Sequence, residues 1–154
     1  MGRIYTAVLD AQSVAAVCEL FFIAAPADAV VVIHEIKISQ DTSETSEQLP
    51  LNIFRTATDQ AAKGSANTPA PLQVGNPAFG GTVRTNILTA DTFATETTML
   101  SRDSQNVLNG WHFLPTPEMR PVLSPSGRLV VKLDAAPSAS IPLSGHIIFE
   151  EIGG

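Results

Sequence analysis

The chain has 154 residues, enough for one domain that buries a core without disulfides. Its net charge is −6, with no basic run and no basic–aromatic interleaving, so no nucleic-acid partner is expected. Hydrophobic residues make up 44% and charged residues only 16%, where an ordinary soluble domain has about 25% charged. So sparse a charge leaves either a neutral Ser- and Thr-rich surface or one partly buried against other subunits, and the second is favoured.

The elements follow in chain order. Arg3–Leu9 reads as a strand with Ile4, Thr6 and Val8 on one face. Val17–Ile23 reads as a second, with Cys18, Leu20 and Phe22 opposite Glu19, Phe21 and Ile23. Cys18 is the only cysteine, which rules out an intrachain disulfide, and its apolar neighbours predict a buried, inert thiol that suits a reducing cytosol. Ala29–Ser39 has the clearest period of two, with Val30, Val32, His34, Ile36 and Ile38 on one face. An acidic loop, 40–47, leads into a strand over Leu49–Thr58. Asp59–Gly81, rich in Ala, Gly and Pro, lacks a period and reads as a long surface excursion suited to binding. Thr82–Thr89 and Thr92–Leu100 read as strands, Ser101–Gly110 as a connection with one helical turn, and Trp111–Pro115 as a short strand.

Four prolines, Pro115, Pro117, Pro121 and Pro125, then precede an apolar run. Proline fixes its own backbone angle, lacks a donor and extends the residue before it. The stretch predicts a semi-rigid crossover along an edge or end of the sheet, with free carbonyls, that delivers the strand Gly127–Ala135. On that strand Leu129 and Val131 are expected to face the core. Ser144–Ile152 is the last strand. Eight or nine short strands with little helix predict an all-β single domain, a β-sandwich or jelly-roll-like fold, with a possible N-terminal arm over 1–9. No signal peptide is expected from "MGRIYTAVLD", and no membrane span, because Pro26 and Asp28 interrupt the longest apolar stretch.

No catalytic constellation emerges, so no enzyme, cofactor or metal is expected. His34, His112 and His146 lack the His-x-His spacing of a jelly-roll metal site. His34 and Glu35, like Glu150 and Glu151, are adjacent and so are expected on opposite faces. The glycines of "GNPAFGG" lack the lysine and helix of a phosphate loop. Trp111 and Phe113 are expected to bury their rings.

"MGRIYTAVLD", "ELFFIAAPADAVVVIHEIKISQ", "WHFLPTPEMRPVLSPSGRLVVKL" and "SGHIIFEEIGG" resemble small virion-associated proteins of tailed bacteriophages, with the Asp59–Gly81 loop the weakest part of the likeness. The resemblance implies a capsid decoration or cement protein, made in the host cytoplasm and residing on the capsid surface. Its partners would be the major capsid protein and further copies of itself, expected as a trimer. The interface residues expected on this reading are Arg3, Tyr5, Phe79, Pro115, Pro117, Arg120 and Pro121. The alternatives are a receptor- or glycan-binding module, marked by an exposed Trp111 or Phe79, a neck or tail subunit, and a jelly-roll metalloenzyme.

Overall fold

The computed structural model describes residues 2–153, which form twelve strands, two 3-10 turns (Thr89–Asp91 and Pro117–Met119) and no α-helix. In chain order the strands are β1 (Arg3–Val14), β2 (Cys18–Ala24), β3 (Ala29–Gln40), β4 (Gln48–Thr56), β5 (Ser65–Asn67), β6 (Ala70–Pro71), β7 (Thr82–Leu88), β8 (Glu96–Asn106), β9 (Trp111–Phe113), β10 (Val122–Leu123), β11 (Arg128–Leu133) and β12 (Ile141–Gly153). They build two antiparallel six-stranded sheets stacked as a β-sandwich. Sheet A has the order β10–β3–β12–β1–β6, with β9 beside β10 on the same edge of β3; sheet B has the order β5–β7–β2–β11–β4–β8.

The core lies between the sheets, where Leu20, Ile33, Ile53, Leu129, Ile147 and Phe149 have no exposed surface. Leu129 and Val131 face inward, as alternation predicts. Val130, on the opposite face of β11, is equally buried. It packs with Phe22, Phe54, Ile87 and Ala94 in a second cluster, under the chain around Gln60 and Ala94. The outer face of sheet A has no such cover: Val8, Val122 and Ile152 stand about half exposed. The accessible surface totals 7108 Å², close to the roughly 7,500 Å² that size scaling gives a folded monomer of this mass.

Bulges overturn two of the expected faces. Along β2 the register against β11 passes from Phe21 to Glu19, leaving Leu20 as an extra residue. Cys18, Leu20, Phe21 and Ile23 therefore all reach the inter-sheet core, while Phe22 joins the outer cluster. Along β3 the register against β12 passes from Ile33 to Glu35, leaving His34 extra. A bulge adds one residue and reverses the alternation beyond it. Val31, Ile33, Ile36 and Ile38 are the inward set, not one continuous parity.

Three further expectations need correction. Residues 3–9 are no arm: β1 pairs with β12 from Arg3 to Val14 and with β6 at Tyr5 and Thr6, and Tyr5, Ala7 and Leu9 fill the core. Met1 lies outside the described residues. The Asp59–Gly81 excursion carries β5 on the edge of sheet B and β6 on the edge of sheet A, so it closes one side of the sandwich. Ser101–Asn106 continues β8 as an edge strand, where exposed polar side chains cost nothing, instead of forming a connection.

The proline stretch runs where stiffness predicts, along the free edge of sheet A. Ile33 N donates to Pro121 O at 2.9 Å, and Val122 and Leu123 pair with Val32 and Val31. A turn closed by Gly127 N to Ser124 O then sends β11 to the centre of sheet B. Its carbonyls are not all free, since that of Val122 also accepts Arg55 Nη2 at 3.2 Å.

Candidate functional site

The side of the sandwich opposite β5 and β6 carries a groove at the seam between the sheets. It measures about 390 Å³. Leu100 and Arg55 form its sheet B wall, and Phe113, Leu114, Pro115 and Met119 its sheet A wall. Pro117 opens the 3-10 turn that carries Glu118 and Met119 into the wall. Trp111 holds the seam closed below: its Nε1 donates to Asp103 Oδ2 of β8 at 3.0 Å, and its ring stacks on Phe113 with centroids 6.0 Å apart. Leu114 and Met119 remain 64% and 74% exposed. The Nε of Arg120 is buried with no hydrogen-bond partner in the chain.

The seven interface candidates therefore divide. Pro115, Pro117 and Arg120 gather at this groove, and Pro121 lines it while being itself buried. Tyr5 and Phe79 are drawn into the chain's own core, which corrects their expected place on a surface. Their rings lie 5.5 Å apart, each also against Phe149, and Tyr5 Oη donates to Pro77 O. Burial, then the charge of Glu151, raises the Tyr5 hydroxyl above its ordinary value. Arg3 is partly exposed, but its guanidinium is spent on Glu151 Oε1 at 3.1 Å and on Gly153 O at 2.8 Å. Trp111 is buried too, so neither ring that would mark a glycan platform is on the surface.

A second cluster occupies the outer face of sheet A. Because His34 is the bulged residue, Glu35 points outward with it instead of opposite it. One oxygen of Glu35 takes His112 Nε2 at 2.9 Å and His146 Nε2 at 3.3 Å, while His34 Nε2 meets Glu150 Oε2 at 3.1 Å. Lys37 lies between His112 and His146 in the cross-strand register. Burial pulls the Glu35 carboxyl upward, but the hydrogen bonds and charges of the two imidazoles outweigh it and hold the group below its usual range. Among the described residues, no group of three His, Cys, Asp or Glu side chains is placed to hold a metal ion. Glu150 and Glu151 do point to opposite faces, one to His34 and one to the buried Arg3 pair. The gathering of the histidines was not visible in their spacing; it depends on the bulge and on the pairing of β9 and β12 with β3.

Cys18 is fully buried, and desolvation, then the charge of Glu19, pushes its thiol up to about 12. No family model, curated protein or solved structure matches the chain.

Proposed function

We propose that this chain is a structural virion protein, a decoration or cement protein that binds the outside of a tailed-phage capsid. The observation that carries the reading is the contrast between the two outer faces. Sheet B is covered by its own loops, whereas sheet A leaves Val8, Val122 and Ile152 half exposed around a set of internally paired histidines and glutamates. Such a face suits attachment through buried area, with side-chain chemistry spent within the chain. The resemblance of both chain ends to small virion proteins supports the same reading. A standard interface buries about 800 Å² on each partner, and repetition over a shell multiplies modest contacts through avidity.

The test is cosedimentation of the purified protein with capsids of the encoding phage that lack it. Binding that Val8→Asp and Ile152→Asp weaken, with unchanged thermal melts, is the expected result. Gold-labelled protein found on necks or tails, with bare capsids, would replace this reading by the neck or tail subunit.

A further inference from the structure

We infer that copies of this chain join head to tail, with the turn after β6 of one copy seated in the proline-walled groove of the next. The contact needs no other protein, so it does not rest on the capsid reading.

The turn is built as a knob. Leu72, Gln73, Val74, Gly75 and Asn76 carry no charge, and Val74 is fully exposed with Leu72 54% exposed beside it. The presentation is fixed from both ends: Leu72 N donates to Ile4 O at 2.9 Å, and Asn76 N closes the turn on Gln73 O. Gly75 has φ +92°, a value that suits glycine at the third position of a tight turn and holds Val74 at the apex. An apolar side chain fixed outward with no neighbour of its own is expensive in water unless something covers it.

The groove matches the knob in chemistry and in place. Its walls are apolar, stiffened by proline and preformed, and Leu114 and Met119 are exposed there. Its charged groups, Arg55, Arg120 and Glu118, are of both signs, so an uncharged tip fits it. The unpartnered Nε of Arg120 needs an acceptor, and a turn offers backbone carbonyls. The two features also stand level. Leu72 is bonded to Ile4, Ile4 faces Glu150, Glu150 faces Val32, and Val32 faces Val122 at the groove's lower end. Knob and groove thus occupy opposite edges of one sheet at one height. Facing opposite ways, they cannot both be filled by a single partner. The contact must therefore repeat from copy to copy, closing into a ring.

The experiment is light scattering on the purified full chain and two variants. The parent is expected as a closed oligomer of at least three copies. Val74→Asp spoils the knob and Met119→Asp the groove, and each should fall to the 16.3 kDa monomer with an unchanged circular dichroism spectrum. Mixed in equal amounts, they should form a dimer of one each, because the first keeps an intact groove and the second an intact knob. If Met119→Asp melts early, Leu114→Asp takes its place. A monomeric parent well above micromolar concentration, variants that keep the parent's mass, or a mixture that stays monomeric would each overturn the proposal.

Discussion

Gln60 Nε2 donates to Glu19 Oε2 across 3.1 Å, and neither side chain has any exposed surface. Ala94 N donates to the other oxygen of Glu19. One buried carboxylate thus clamps two separate loops onto the outer face of sheet B, over Phe22, Phe54 and Val130. Burial raises its carboxyl above the ordinary value, and the bonds from Ala94 and Gln60 offset only part of that.

A raised carboxyl pKa in the fold means that stability falls as pH rises from the unfolded value through the folded one. Glu19→Gln removes that titration and keeps an acceptor for Ala94 N. Gln60 Oε1 has no partner and can turn to take the new amide. Denaturant unfolding at pH 7 should find Glu19→Gln at least as stable as the parent. Glu19→Ala, which strands buried donors, should lose about 1–3 kcal/mol. If the Gln variant falls as far as the Ala variant, the carboxylate's charge is holding the loops.

Glu35 carries the opposite sign. Its folded pKa is depressed, so its contribution is present above about pH 4.3, the ordinary glutamate value, and is lost as pH falls through the folded value. Glu35→Ala should lower stability at neutral pH by about 0.5–1.5 kcal/mol, since the site is partly wet. It should also flatten the acid limb of the stability curve. An acid limb identical to the parent's would remove Glu35 from the acid response.

Arg3 is the main cationic partner of a nearly buried carboxylate, Glu151, whose other contact is a long bond from Gly80 N at 3.4 Å. Arg3→Ala should cost about 1–3 kcal/mol by leaving that charge with too little compensation. Adding Glu151→Gln should return part of the loss. Additive losses in the double variant would show that the two side chains act independently.

Leu129→Ala opens a hole between the sheets and should cost about 2–5 kcal/mol. Pro117→Ala and Pro125→Ala change exposed positions of the crossover and should each cost about 0.4–1 kcal/mol, through the freedom restored to the unfolded chain. The ranking is read from urea midpoints at constant slope. A proline variant that falls below Leu129→Ala would mean that the crossover carries more of the fold than β11 does.

The all-β character, most strand positions and the inward face of β11 were legible because alternation and proline act locally. What escaped was set by partners distant in sequence. The extra residues at Leu20 and His34 reverse alternation, yet nothing in "CELFFI" or "VIHEIK" announces an insertion, because a bulge is defined against the neighbouring strand. Val130 is buried by loops folding over it from residues around Gln60 and Ala94, which an alternating pattern cannot foresee. Of the candidate site, the prolines and Arg120 were legible from backbone stiffness. Leu100 and Arg55 were not, since they reach the groove from the other sheet.

The place of β12 determines when the molecule can exist. The last-made strand lies between β1 and β3, the first and third made, and pairs with both along most of their length. Until residues 141–153 leave the ribosome, sheet A is two separated pieces with apolar faces uncovered, and pairings so distant in sequence form slowly. Synthesis of this chain therefore ends with an open slit that its own tail must enter. During that interval, shielding by chaperones decides how much of the product folds and how much clumps.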